Sequence, residues 1–183
     1  MLKSDGKGNY FVTGYTTGND SVTKFDKNFK RLWSFKLSKT GLISCLSHFS
    51  EGRLYLSGLT NDSNRIVEIN TSNGNVIWTK NLSKNKLKSF IDIRSVVYLK
   101  GNLYLSGKIS GGLEFLLGSD TIYAFSSFVI QMDTLGNYAN RFLLQCKYDV
   151  FTSGIFNLTS DENFLYVCGH YKDTVYWGNK KIA

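Results

Sequence analysis

Few side chains in this chain could carry acid–base, nucleophilic or metal chemistry. Its 183 residues hold two histidines, His48 and His170, and three cysteines, Cys45, Cys146 and Cys168. Cys45 and His48 stand at C-x-x-H spacing, half of a metal pair, but a tetrahedral site needs further ligands and none follows at suitable spacing. They read instead as part of an alternating strand face or its edge. No C-x-x-C occurs, and an odd cysteine count argues against a closed disulfide framework. Cys168 could be offered as a nucleophile. It falls, however, in a sequence column shared with Thr13, Ser57 and Ser106. A small residue is wanted there for packing, so an inert buried thiol is the expectation. His170 shares its column with Tyr15, Leu59 and Lys108, which no single chemistry unites. Cys45 and Cys146 occupy no common column.

The Asx-rich stretches Gly18-Asn19-Asp20-Ser21 and Asn61-Asp62-Ser63-Asn64 could bring calcium to mind. Neither has the alternating carboxylates and glycine of an EF-hand loop, and turn chemistry accounts for both. No phosphate loop, nucleophile elbow or paired-carboxylate motif is present. Asn61, Asn81 and Asn157 begin Asn-x-Ser/Thr sequons, which matter only where a glycosylation system is met. The reading therefore assigns no catalytic, cofactor-binding or metal residue.

The net charge is +8, from 22 basic and 14 acidic residues. Such a balance can reflect an anionic partner. Here the lysines are scattered, from Lys24, Lys27, Lys30, Lys36 and Lys39 to Lys80, Lys84, Lys86 and Lys88. The densest stretch, Asn81 to Lys88, reads as a solvated loop between repeats. No nucleic-acid-binding motif accompanies the charge. Hydrophobic residues make up 42% and aromatics 15%, a globular composition that leans towards strands. No run approaches the ~20 apolar residues of a membrane helix, and Met1 to Gly6 lacks the apolar core of a signal peptide.

What must position these residues is a repeat. One five-residue pattern occurs four times: Tyr10-Phe11-Val12-Thr13-Gly14, Leu54-Tyr55-Leu56-Ser57-Gly58, Leu103-Tyr104-Leu105-Ser106-Gly107 and Leu165-Tyr166-Val167-Cys168-Gly169. The columns are large apolar, aromatic, aliphatic, small and glycine. Each copy follows a turn signal: Asp5-Gly6-Lys7-Gly8-Asn9, Glu51-Gly52, Lys100-Gly101-Asn102 or Asp161-Glu162-Asn163. Consecutive apolar residues predict a strand buried on both faces. A second strand runs into Asx at a turn in Val22 to Asp26, Ile66 to Asn70 and Val129 to Asp133. A further strand follows in Arg31 to Phe35, Val76 to Trp78 and Arg141 to Leu144. Another precedes each glycine motif in Ile43 to Phe49, Phe90 to Leu99 and Phe151 to Leu158. The third unit carries an extra hairpin's length, Gly111 to Ala124. The repeat glycines, Gly58 and Gly107 among them, are expected where backbone approaches closely or φ is unusual.

Four strands in about 45 residues is the size of a propeller blade. The fold class read from this is all-β, without long helices: β-propeller blades of about four antiparallel strands in an incomplete ring. Residues 1–183 form part of one such domain, with units near 1–42, 43–87, 88–147 and 148–183, the first and last partial. The first unit is read as lacking its opening strand and the fourth as ending before its last two. This phase leads to the expectation that the natural polypeptide begins before Met1 and continues past Ala183. Sheet edges at both ends would then be unpaired or covered by another chain.

Asn102-Leu103-Tyr104-Leu105-Ser106-Gly107 and Phe128-Val129-Ile130-Gln131-Met132-Asp133-Thr134-Leu135-Gly136-Asn137 resemble the bacterial β-propeller repeat often called SBBP. The insertion ending in Leu113-Glu114-Phe115, echoed by Val175-Tyr176-Trp177-Gly178, resembles the longer version of that repeat. Asn70-Thr71-Ser72-Asn73-Gly74-Asn75-Val76-Ile77-Trp78 is similar to the tryptophan-docking repeat of quinoprotein-like propellers, with Asn replacing an Asp and a Thr. Trp33 and Trp78 would on this reading bridge adjacent blades. The SBBP resemblance implies a propeller segment of large, often surface-associated proteins, hence an extracellular or cell-surface setting. The function expected is a non-catalytic scaffold binding protein or glycan, without cofactor. The alternative is part of a propeller enzyme, a quinoprotein-like oxidoreductase or a hydrolase, with its active site in blades outside this chain.

Overall fold

Alternating apolar columns separated by Gly- and Asx-rich turns leave antiparallel pairing as the way to satisfy the backbone. A computed structural model describes residues 2–16, 19–36, 42–50, 52–60, 63–82, 90–110, 115–117, 120–122, 126–146, 154–170, 175–177 and 180–181. Among them the regular structure is entirely β, and every strand pairing is antiparallel. The chain divides into two compact units, Met1–Asn81 and Leu82–Ala183.

The first unit holds two four-stranded sheets. One has the order β1 (Leu2–Ser4), β2 (Tyr10–Thr16), β3 (Asn19–Phe25), β4 (Arg31–Lys36). The other has β5 (Leu42–Ser50), β6 (Arg53–Thr60), β7 (Ser63–Asn70), β8 (Val76–Asn81). Phe11 and Val22 of the first sheet pack with Leu54, Leu56, Val67 and Ile69 of the second, and Trp33 and Phe35 join them at the margin.

The second unit contains β9 (Phe90–Leu99), β10 (Asn102–Ser110), the hairpin β11 (Phe115–Leu117) and β12 (Asp120–Ile122), then β13 (Ser126–Asp133), β14 (Tyr138–Cys146), β15 (Gly154–Ser160), β16 (Leu165–His170), β17 (Val175–Trp177) and β18 (Lys180–Lys181). Strands β9, β10, β13 and β14 repeat the four-strand order, and β17 and β18 extend that sheet beyond β14. The β15–β16 ribbon packs on this sheet through Val97, Val129, Ile155 and Leu158, flanked by Tyr104, Phe142 and Leu165. Two polar ties hold it: Ile155 N–H donates to Ser127 Oγ, and Ser95 Oγ donates to the Leu158 carbonyl, each at 3.2 Å.

The four strand columns, the inserted hairpin and the separate sheets agree with the sequence reading. Two expectations need correction. The first unit does have an opening strand: Leu2, Lys3 and Ser4 pair with Val12, Phe11 and Tyr10. It is only three residues long and was hidden by its brevity. It forms because Asp5 organises the intervening turn, its Oδ1 accepting from Lys7 and Asn9 N–H and its Oδ2 from Asn9 Nδ2. The second correction concerns burial. Residues 54–58 of β6 and Leu103, Leu105, Ser106 and Gly107 of β10 are buried as expected. In β16, by contrast, Val167 is 39% exposed and Tyr166 50%. Strand composition is alike in all three; what differs is whether another layer covers each face.

Three of the four repeat glycines share a feature. Gly58, Gly107 and Gly169 each face an isoleucine on the preceding strand: Ile43, Ile93 and Ile155. One residue is skipped immediately beyond that isoleucine in each ladder, namely Ser44, Arg94 and Phe156. Each is a β-bulge, which bends the strand towards its partner. At Gly107 the consequence is direct. An added Cβ would meet the Asp92 backbone carbonyl and lie 2.8 Å from Phe128 Cζ. The glycine is there because the bulge leaves no room.

Candidate functional site

The first and second sheets are joined by a lock built from β3, β4 and the β7–β8 turn. In the register, Phe11, Lys24 and Trp33 form one row across β2, β3 and β4. Lys24 is 8% exposed; its Nζ donates to the Thr71 carbonyl at 2.8 Å and sits 5.6 Å from the Phe11 ring centroid. Trp33 Nε1 donates to the same carbonyl at 3.0 Å. Thr71 is held in turn, its N–H and Oγ1 both donating to the Gly52 carbonyl. Gly74, at φ +79°, lies flat under the indole: a Cβ there would be 2.8 Å from Trp33 Cδ2. Trp33 thus bridges the two adjacent sheets of this unit. In the sequence Lys24 reads as one of the scattered lysines. Its position opposite Phe11 and Trp33 on an apolar face was the signal available.

The corresponding row of the second sheet is Tyr55, Glu68 and Trp78. The two rings lie 6.3 Å apart at 44°, flanking a carboxylate whose side chain is fully buried. Burial pushes the Glu68 carboxyl above its usual range; Arg53 and the Trp78 side chain oppose this only in part. Arg53 Nη1 approaches Oε1 at 3.1 Å, an ion pair without the alignment of a strong hydrogen bond. Here Glu replaces the Lys of the first row.

The other candidate surface is the turn-bearing end of each sheet. Asp26 Oδ1 accepts from Asn28 and Lys30 N–H. Asp133 Oδ1 accepts from Leu135 and Asn137 N–H, and its Oδ2 from Asn137 Nδ2. Asn70 Oδ1 accepts from Ser72 N–H. Asp161 Oδ1 accepts from Asn163 and Phe164 N–H, and its Oδ2 from the Tyr166 hydroxyl at 2.6 Å. That hydroxyl bond and the two N–H groups hold the Asp161 carboxyl below its usual range, and the same bond pushes the Tyr166 phenol up. These rigid turns present large apolar tips: Phe29, Leu135 and Phe164 are all well exposed. Phe29 stands apart. It has φ +59° and is 69% exposed, and its ring stacks on Tyr10 at 5.3 Å and 4°. Its N–H donates to the Asp26 carbonyl just as Gly136 N–H donates to that of Asp133, so Phe29 occupies a glycine's place. A bulky residue at positive φ is a true outlier.

Of the residues weighed in the sequence, Cys168 is the one reversed. It is an exposed free thiol. Its column mates Ser57 and Ser106 are fully buried, but the β16 face that carries Cys168 is solvent-facing. His170 is exposed on the same strand. Cys45 and His48 both lie in β5 and Cys146 in β14, but their side chains fall outside the described residues, as do Gly18, Asn61 and Asp62. Asn81 and Asn157 are exposed. Among the described residues no group of three or more His, Cys, Asp or Glu could hold a metal ion, and no helix is long and apolar enough to cross a membrane. No protein-family model and no curated protein matches the chain.

Proposed function

We propose that this chain is a set of β-propeller-type repeat units serving as a non-catalytic scaffold that binds protein or glycan through its turn-bearing end. The blade reading is supported by the recurring four-strand order, the recurring bulge opposite the repeat glycine, and the way each unit stacks one sheet on the next by the same columns. The binding reading rests on Phe29. Backbone strain of about 1 kcal/mol is retained to hold an aromatic ring open to solvent where the third sheet uses glycine. Backed by Tyr10, the ring is a fixed flat platform with little conformational entropy left to lose, suited to the apolar face of a sugar or to an apolar side chain.

An array of glycans and peptides probed with the labelled protein tests this, run beside Phe29→Gly and Phe164→Ser. Gly136 in the equivalent turn indicates that Phe29→Gly will fold. The expected result is a defined protein or glycan ligand whose binding falls at least about tenfold in Phe29→Gly. Binding that Phe29→Gly leaves unchanged, or a blank array, overturns the reading.

A further inference from the structure

The chain contains one Asn-Gly dipeptide, Asn73-Gly74, and the fold places it in the turn on which the first sheet locks. Such a pair carries its own reaction. The Gly74 amide nitrogen attacks Asn73 Cγ, and glycine, without a Cβ, leaves that approach open. A bond forms between the nitrogen and Cγ, the Cγ–Nδ2 bond breaks, and ammonia leaves with the proton lost from the amide. Water then opens the cyclic imide at either carbonyl, giving aspartate or isoaspartate at position 73. Water is the one co-reactant, and nothing is oxidised or reduced.

The turn holds the two reacting groups in opposite states. The electrophile is set. Asn73 is exposed, and its Oδ1 accepts from Asn75 N–H at 2.9 Å, which keeps the carboxamide against the following backbone and polarises Cγ. The nucleophile is masked. Gly74 N–H donates to the Asn70 carbonyl at 2.8 Å, so the nitrogen keeps its proton and its orientation while that bond lasts. Asn70 N–H in turn donates to the Asn75 carbonyl, which closes the turn from its other side. Gly74 is also held by the first sheet. It sits at φ +79°, and Trp33 lies so near that an added Cβ would be 2.8 Å from Cδ2. The indole is itself fixed by its Nε1 bond to the Thr71 carbonyl of the same turn, a carbonyl that Lys24 Nζ shares.

We propose that Asn73 is a deamidation site gated by Trp33: the reaction is held off while the indole covers Gly74 and runs when the first sheet lifts from the turn. The product makes the event one-way. Isoaspartate routes the backbone through the side-chain carbons and lengthens the turn just before Gly74, which moves the glycine off its seat under the ring. Opening of the sheet-to-sheet lock is thereby recorded as a lasting weakening of that lock.

Ageing the full chain at mildly alkaline pH tests this. Deamidation is followed by mass spectrometry on the proteolytic peptide that carries Asn73, with isoaspartate and aspartate resolved by chromatography. Trp33→Phe deletes the Nε1 bond, Lys24→Met deletes the other donor to the Thr71 carbonyl, and Trp33→Leu removes the ring from Gly74. Ile66→Val trims a buried side chain of β7 outside the core that joins the two sheets. Losing one hydrogen bond raises local opening by roughly fivefold, so Asn73 deamidation is expected to rise by about that factor in Trp33→Phe and in Lys24→Met. A larger rise is expected in Trp33→Leu, and less than about a twofold change in Ile66→Val, since the opening is local. Trp33→Phe and Lys24→Met carry the test should Trp33→Leu unfold by circular dichroism. In the aged wild-type fraction that carries isoaspartate, the Thr71 and Gly74 amides should exchange hydrogen faster than in the fresh protein. A folded wild-type rate equal to that of the urea-unfolded chain, equal rates in wild type and Trp33→Phe, a rise in Ile66→Val as large as in Trp33→Phe, or unchanged exchange in the isoaspartate fraction overturns the proposal.

Discussion

Replacing Gly107 by alanine separates close packing from backbone freedom as the reason for the repeat glycine. Gly107 is not among the glycines at positive φ, so left-handed geometry plays no part. In an ordinary strand Gly→Ala would stabilise by about 0.5–1 kcal/mol, through reduced freedom of the unfolded chain and better strand propensity. Here the new Cβ meets the Asp92 carbonyl oxygen, comes within 3.1 Å of that carbonyl carbon, and lies 2.8 Å from Phe128 Cζ. The ring tip can yield, but the carbonyl belongs to a bulged backbone flanked by Ile93, 2% exposed. Overpacking of this kind costs about 1–3 kcal/mol, which outweighs the gain. Gly107→Val, with two further methyls, is expected at the upper end or beyond. About 1–2 kcal/mol remains net of that gain, and at about 2–4 °C per kcal/mol for a chain of this size the alanine variant should melt roughly 2–8 °C lower, measured by circular dichroism. Adding Phe128→Leu should recover little of this if the backbone carbonyl is the obstacle. An unchanged melting temperature in Gly107→Ala, or full rescue by Phe128→Leu, refutes the bulge argument.

Trp33→Phe removes the Nε1 bond to the Thr71 carbonyl while leaving Lys24 on it; a loss of about 1 kcal/mol in chemical denaturation is expected. Gly74→Ala adds positive-φ strain to a clash with the Trp33 ring and should cost more, about 2 kcal/mol or above. Glu68→Gln should raise the melting temperature at neutral pH by an amount that shrinks on acidification. Its folded carboxyl titrates above the ordinary value of 4.5. The folded state therefore holds that proton longer than the unfolded state, and stability is lost as pH rises through this window. A difference between wild type and variant that does not change with pH would contradict the buried carboxylate. Asp133→Ala deletes three turn hydrogen bonds and should destabilise the second unit by about 1–2 kcal/mol, read by hydrogen exchange in β13 and β14.

The strands and their turns were legible because both are local. Short consecutive apolar runs bounded by turn signals, Leu54-Tyr55-Leu56 and Leu103-Tyr104-Leu105, mark a strand wherever they sit. Asp26, Asn70 and Asp133 close their turns with their own side chains, needing no distant partner. The bulges were partly legible: Ile43, Ile93 and Ile155 recur before their glycines, but the skipped residues Ser44, Arg94 and Phe156 share no type, so the irregularity left no sequence column. The strand at Leu2–Ser4 was missed because three residues carry no period.

Burial was legible for β6 and β10, whose repeat strands are sealed as expected, and not for β16. Cys168 and Ser106 occupy one column, yet one is solvent-facing and the other sealed. Lys24 reads like every other lysine until its row meets the Thr71 carbonyl, 47 residues away in sequence. Phe29 is an ordinary turn residue until its φ is seen. Sequence alone determined which residues share a strand face, since alternation and turn chemistry act over a few residues. Only the tertiary structure decided which of those faces are covered, because that depends on which sheet stacks on which across tens of residues of chain.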